Sequence, residues 1–199
     1  MALTDQDPVL TEAIGPTEGT ALLIKQIALV ALGIIALAIF AKIKIPMWPV
    51  PITMGTFAVL TIGAAYGPRL GLITIMGYMI VGAFGFDVFA SSSAENYGLT
   101  YMMGGTGGYL VGYVLATLAL GWAARRGWDR SILMMAAAML LGNILIYAPG
   151  LLWLGQLYGW DQPILEWGLT PFLVGDALKL ALAALVVPGL WKLVGAART

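Results

Sequence analysis

Pro171-Phe172-Leu173-Val174-Gly175-Asp176-Ala177-Leu178-Lys179, continuing apolar through Leu180-Ala181-Leu182 to Val187, decides how this chain folds. About 20 apolar residues cross the hydrocarbon core of a bilayer, and the stretch from Pro171 is long enough to do so. Yet it carries an aspartate and a lysine, spaced i, i+3, which project from one face of a helix. Each ionised group at membrane depth costs about 2.5–3.5 kcal/mol on an insertion scale. A chain that keeps both has either paired them with each other or aimed them at something. A small zwitterionic or amide-bearing ligand with a carboxylate suits such a site.

The composition agrees. Of 199 residues, 60% are hydrophobic and only 10% charged, where soluble domains carry about 25% charged residues. The chain is therefore an integral protein of the lipid bilayer. Its formal net charge of zero argues against nucleic acid as a partner. Cysteine and histidine are absent. That excludes zinc sites, thiolate nucleophiles, histidine haem ligation and Ser-His-Asp triads, and it excludes disulfides. Residues 1–20 hold Asp5, Asp7, Glu12 and Glu18, with no basic residue before Lys25. They lack the positive start of a signal peptide and are expected to form a polar, mobile cytoplasmic tail. Residues 21–199 are expected to form a single transmembrane domain.

Six spans are predicted: Ala21–Ala41, Thr53–Tyr66, Arg69–Phe84, Gly107–Ala124, Ser131–Trp153 and Pro171–Val194. Gly67-Pro68 separates the second from the third, because Gly-Pro is a turn signal and Arg69 carries charge. Six spans put both termini on one side. That side holds Lys25, Arg69, Arg125, Arg126, Arg130, Lys192 and Arg198; the other holds only Lys42 and Lys44, against Asp87, Glu95, Asp161 and Glu166. The basic side is expected to be cytoplasmic. The sixth span then enters from outside, with Thr170 as N-cap and Pro171 as first helical residue. Asp176 and Lys179 should lie roughly 8 Å and 12 Å below that end.

The outer loops are unlike plain connectors. Loop one, Lys42 to Thr53, carries Pro46, Pro49 and Pro51, which forbid a helix and favour extended backbone. Its apolar side chains call for burial, and the segment is expected to fold over a cavity. Trp48 either covers that cavity or anchors at headgroup level. Loop three, Gly85 to Gly107, is long and polar, with Ser91-Ser92-Ser93 and Asn96, as a lid would be. Gly104, Gly108 and Gly112 recur every four residues, as do Gly67 and Gly71, and Ala119 and Ala123, a spacing that lets helices approach closely. Asn143, mid-span, is expected to hydrogen-bond a neighbouring helix in preference to a ligand.

With these residues laid out, the chain resembles the BioY family, the biotin-specific substrate-binding subunits (S components) of energy-coupling factor (ECF) transporters. The resemblance runs from about Lys42 to Lys179. It rests on Val50-Pro51-Ile52-Thr53 with Thr56-Phe57-Ala58-Val59, on Gly67-Pro68-Arg69-Leu70-Gly71, and on Val88-Phe89-Ala90. Further on it rests on Gly104 with Thr106-Gly107-Gly108-Tyr109-Leu110-Val111-Gly112, on Gly142-Asn143 with Tyr147 and Trp153-Leu154, and on Pro171-Phe172 with Gly175-Asp176 and Lys179. The order and spacing together are specific where any one stretch is weak. Gly55 departs from the family's common Gln, Asp87 and Gly105 depart from Pro, and the first span has no Ala-xxx-Ala motif for docking a coupling protein.

The resemblance implies an all-α, six-helix bundle of the S-component type in a prokaryotic plasma (inner) membrane. It implies biotin bound near the outer face beneath loops one and three. It also implies an ECF transmembrane coupling protein and ABC-type ATPase subunits as partners, and no cofactor. Whether the chain works alone, as a homo-oligomer or only with its ATPase module stays open. Asp176, Lys179 and Asn96 are the residues it implicates. Biotin's chemistry extends the assignment. Its ureido N–H groups want an acceptor, Asp176 or the Asn96 oxygen. Its ureido carbonyl wants a donor, from Asn96, Thr53 or Tyr109. Its carboxylate wants a cation, Lys179. Trp48 and Tyr109 could cover the bicycle. The competing interpretation of Asp176 and Lys179 is a self-satisfied ion pair that staples helices. Two other functional classes fit less well. A proton-coupled secondary transporter using Asp176 would show repeats and near-midplane charges. An intramembrane enzyme lacks His and Cys, and Ser91, Ser92, Ser93 and Ser131 lie in a loop or at a span end.

Overall fold

The computed structural model describes residues 7–93 and 95–196. Asp5 and Arg198, named above, lie outside the described residues. In chain order the elements are α1 (Gly19–Lys42), β1 (Lys44–Ile45), β2 (Ile52–Thr53), α2 (Gly55–Ala83), α3 (Gly98–Met102), α4 (Gly107–Ala124), α5 (Ile132–Tyr158), α6 (Ile164–Gly168) and α7 (Leu173–Ala196). Short 3-10 turns, Trp128–Arg130 and Thr170–Phe172, precede α5 and α7. Five helical stretches among the described residues are long and apolar enough to cross a membrane.

One of the five is two helices. At Gly67 the backbone takes φ 76°, ψ 178°, outside helical values and in the left-handed range that glycine adopts without a Cβ clash. Pro68 then restarts the helix as a first-turn residue whose missing N–H costs nothing. The two arms fold back on each other. A Cβ on Gly71 would lie 3.6 Å from Gly63 Cα, whereas eight residues of straight helix span about 12 Å. Gly55 and Tyr78, about 35 Å apart along a straight helix, line one cavity. Six crossings result, with the described ends of the chain on one side, as the Gly-Pro signal predicts.

α4 is the central helix: 61% of its apolar window is buried, against 11% for α1. Leu23, Ile24, Ile27, Leu32 and Ile35 of α1 face outward, as befits a helix that is apolar all round and meets lipid. The predicted small-residue faces pack internally. A Cβ on Gly112 would meet Ile146 Cα of α5 at 2.6 Å, and one on Gly121 would meet Pro68 N at 2.3 Å. Backbones approach this closely only where side chains vanish.

Four expectations change. Loop one is extended as its prolines require, but it is also a β-hairpin: Lys44 pairs with Thr53 and Ile45 with Ile52, antiparallel. Thr170 does not cap α7; its hydroxyl donates to Leu165 O at 3.1 Å, and the helix begins at Leu173. Among the described residues Asn143 forms no interhelical hydrogen bond, and its buried Oδ1 has no partner. The tail is not loose from residue 7 onward. Val9 is 0% exposed and sits against Gly67, Thr11 N and Oγ1 both donate to Ala65 O at 3.1 Å, and Glu12 accepts both terminal nitrogens of Arg125.

Candidate functional site

α7 carries its charges into the outer end of the bundle. Asp176 lies in the helix's first turn, where the unpaired N–H groups and the macrodipole favour a carboxylate. Lys179, one turn on, projects from the same face. Its Nζ donates to Asp176 Oδ1 at 2.9 Å, to Thr53 O at 2.7 Å and to Thr56 Oγ1 at 3.1 Å. All three ammonium donors are therefore used. Asp176 Oδ2 accepts the Tyr147 hydroxyl from α5. Side-chain exposure is 11% for Lys179 and 7% for Asp176, so this is a buried pair with satisfied hydrogen bonds, the arrangement in which such a pair is tolerated.

Hairpin and α2 supply the other half. Strand β2 ends at Thr53, whose Oγ1 accepts Gly55 N at 3.0 Å at the start of α2, while its carbonyl faces Lys179. Above the pair lies a narrow cavity holding about 50 Å³ of water-sized space. Lys179, Thr53, Thr56, Tyr147 and Tyr113 give it a polar side, and Val50, Phe89 and Leu110 an apolar one. Tyr109 also lines it, with its hydroxyl donating to Gly168 O at 2.8 Å. At Gly55 the missing side chain leaves room for Tyr113 Oη, which a Cβ would meet at 3.1 Å.

The cover is held by lysines. Lys42 Nζ donates to Phe89 O at 2.7 Å and pairs with Asp87; Lys44 Nζ donates to Ala90 O. Lys42, with the Ser92 hydroxyl, holds the Asp87 carboxyl below the ordinary carboxylate range. Thus Asp87 is fastened to the end of α1 by an ion pair. Inside, the Phe89 and Tyr101 rings stack at 4.9 Å.

Of the residues singled out from the sequence, Lys179, Thr53 and Tyr109 line the cavity and Asp176 sits directly behind Lys179. Asn96 and Trp48 are elsewhere. Asn96 is exposed in a turn with Ser93, its N–H donating to Ser93 Oγ at 3.2 Å. Trp48 is 65% exposed at the hairpin tip, edge-on to Trp167 at 4.9 Å and Tyr158 at 5.4 Å. Splitting Asp176 and Lys179 between opposite ends of an elongated ligand does not fit their 2.9 Å contact. The sequence reading passed over Thr56, Tyr113 and Tyr147 as site residues. Tyr113 had a signal: it follows Tyr109 by four residues and so shares its helix face.

A six-helix membrane bundle with a buried, polar-walled cavity at one end defines a small-molecule-binding membrane protein. Comparison with known proteins narrows the class. The model of the BioY family matches residues 11–196. A probable biotin transporter BioY of Pyrococcus horikoshii is 35% identical over 162 residues, covering 81% of this chain and 93% of the relative. A biotin transporter BioY of Thermotoga maritima is 33% identical over 153 residues, covering 77% and 88%. Among solved structures, the S-component for biotin from an ECF-type ABC transporter superposes with a TM-score of 0.70 at 22% identity, covering 88% of this chain and 95% of that one, a likeness of fold. The chain belongs to the BioY family.

Proposed function

We propose that this chain captures biotin as the substrate-binding subunit of an ECF-type vitamin uptake transporter. The observation that carries it is the buried Asp176–Lys179 pair at the wall of a covered cavity, in a chain of the BioY family. An acceptor lies beside a donor there, 2.9 Å apart. Biotin's ureido ring presents N–H beside C=O, the complementary pattern. On ligand entry Lys179 Nζ exchanges its Thr56 contact for the ureido carbonyl and Asp176 accepts a ureido N–H, while Tyr147 keeps Asp176 oriented. A neutral ureido group meets a net-neutral pair, so no unbalanced charge enters the site. Tyr109 and Phe89 flank the bicycle. The carboxylate tail points to the outer rim, where Lys44, held on a carbonyl and not on an acid, supplies positive charge.

Small-molecule pockets begin near ~300 Å³, well above the space present, so the hairpin and the segment after α2 move outward to admit the ligand. Asn96 and Trp48 belong to these two covering segments and could reach the ligand only through that motion. A proton-coupled carrier built on Asp176 has less support: Lys179 and Tyr147 hold the carboxylate, and neither α4, α5 nor the rest of α7 carries another acid. Capture of biotin in this way involves no catalytic step. An ECF transmembrane coupling protein and ABC-type ATPases are its partners.

Equilibrium binding to the purified chain tests the assignment. Saturable binding of biotin, with thiamine and riboflavin failing to compete, is expected; tight binding of another vitamin and none of biotin would sink it. The basic end faces the cytoplasm of a prokaryotic inner membrane. The chain has no native cysteine, so single cysteines report cleanly. One at Ser93 should react with an impermeant reagent from outside and one at Gly127 should not; the reverse pattern contradicts the orientation.

A further inference from the structure

At the end of the bundle opposite the biotin cavity, α1, the inner turn of α2 and the N-terminal segment enclose a second cavity of about 310 Å³. Its polar rim carries Lys25, Arg69 and Arg125 against a single carboxylate, Glu12, an excess of two positive charges. The three cations are not equivalent. Arg125 is neutralised by Glu12. Lys25 Nζ donates to Ile14 O at 2.7 Å and Pro16 O at 3.1 Å, so its charge meets carbonyls and one donor is spare. Arg69 is exposed and has no hydrogen bond or ion pair among the described residues. One helical turn further into the membrane the lining changes to Leu29 on α1 and Ile73 on α2, each four residues, about 6 Å, beyond its cation. Ile73 is 57% exposed toward the lipid side. Tyr66, whose hydroxyl donates to Leu29 O at 3.0 Å, joins the two helices at the back.

We infer that this cavity binds the phosphate of one anionic glycerophospholipid from the leaflet on the side of the chain ends. Arg69 and the spare Lys25 donor take the phosphate, and an acyl chain lies along Leu29 and Ile73. The charge excess matches an anionic lipid, since basic side chains near a membrane surface attract anionic headgroups. The order from cationic rim to apolar depth is the order of headgroup and tail. A free phosphate would use the rim and leave the apolar half without function. The bound lipid bridges the N-terminal segment, α1 and α2, and fixes the segment over the Gly67 turn.

Delipidated full-length protein, titrated with single lipids and read by native mass spectrometry, tests this. One phosphatidylglycerol per chain is expected to bind at least ten-fold more tightly than phosphatidylcholine. Arg69→Gln should remove most of that preference, and Arg69→Lys should keep most of it. Arg126→Gln is the control. Arg126 lies at the same membrane end but stacks on Trp122 at 3.6 Å, outside the cavity, so its loss should leave the preference intact. Arg69 is exposed, so the glutamine variant should keep its lipid-free melting temperature. Equal affinity for the two lipids, or unchanged preference in Arg69→Gln, overturns the inference. Equal losses in Arg69→Gln and Arg126→Gln would show diffuse surface attraction instead. Displacement of the lipid by millimolar inorganic phosphate would show a site for the free anion. None of these readings depends on biotin binding.

Discussion

The two ends of this bundle use ion pairs of similar geometry for different ends. At the outer end, beneath the exposed Lys42–Asp87 bridge, the Asp176–Lys179 pair is only 7% and 11% exposed, and every donor on the lysine is occupied. At the inner end Arg125–Glu12 and Arg130–Asp7 have side chains 20–46% exposed. Exposed pairs contribute about 0–1 kcal/mol each, so the inner ones position the N-terminal segment without dominating stability. The segment's grip comes more from Val9 and Leu10, which are buried. The outer pair is different. Removing one partner leaves the other buried and uncompensated, at a cost of about 3–5 kcal/mol. Burial, more than distance, decides what a salt bridge does.

Breaking the outer pair should give the largest effect. Lys179→Met or Asp176→Leu alone is expected to destabilise the detergent-solubilised protein by about 3–5 kcal/mol. The double variant should recover most of the loss, because two apolar side chains replace two charges, and it should not bind biotin. Thermal unfolding of the three variants checks this. A double variant no more stable than either single would show that the pair is not the buried unit described.

The inner end has one buried acid, and it sharpens the contrast. Asp129 is 1% exposed; Trp191 Nε1 donates to its Oδ2 at 2.6 Å, while Oδ1 has no hydrogen-bond partner among the described residues. Burial pushes its carboxyl above the ordinary range, against the opposing pull of the Trp191 hydrogen bond and Arg130. A carboxyl raised in the folded state binds more protons folded than unfolded. Its contribution is thus present below the unfolded value, near ~4, and declines as pH rises through the folded one. Asp129→Asn keeps an acceptor for Trp191 and cannot ionise. It should raise the melting temperature at pH 7 and flatten the decline in stability as pH rises above ~4. An unchanged pH profile would contradict the assignment.

The same contrast separates what was legible in the sequence from what was not. The long apolar elements were legible: α4 spans Gly107–Ala124, as its hydropathy predicts, and Gly67-Pro68 breaks α2 where a turn signal says it should. The hairpin was not, because two-residue strands leave no alternation to read. The five-residue α6 falls below any periodic signal. In the site, Asp176 and Lys179 stood out because charge inside an apolar span is expensive. Their mutual contact was one of two open alternatives, since i, i+3 spacing places two side chains on one face without saying whether they turn to each other. Asn96 could not be placed, because loop spacing carries no direction. The inner clasp was hidden in an acidic tail whose apolar pair, Val9-Leu10, was its one local clue.

Asp176 and Lys179 are proposed to act together on biotin's ureido ring. Isothermal titration of the Lys179→Met protein and the unmodified chain with biotin, biotin amide and 2-iminobiotin tests it most directly. The iminobiotin ring carries an N–H donor in place of the ureido oxygen, so it has nothing for Lys179 to donate to. Losing Lys179 should weaken biotin and biotin amide alike, by about 1.5–3 kcal/mol, the worth of a charged hydrogen bond. It should weaken iminobiotin far less. A loss confined to biotin and absent with the amide would assign Lys179 to the carboxylate. Equal losses for all three ligands would reduce the pair to a structural staple. Either result contradicts the claim.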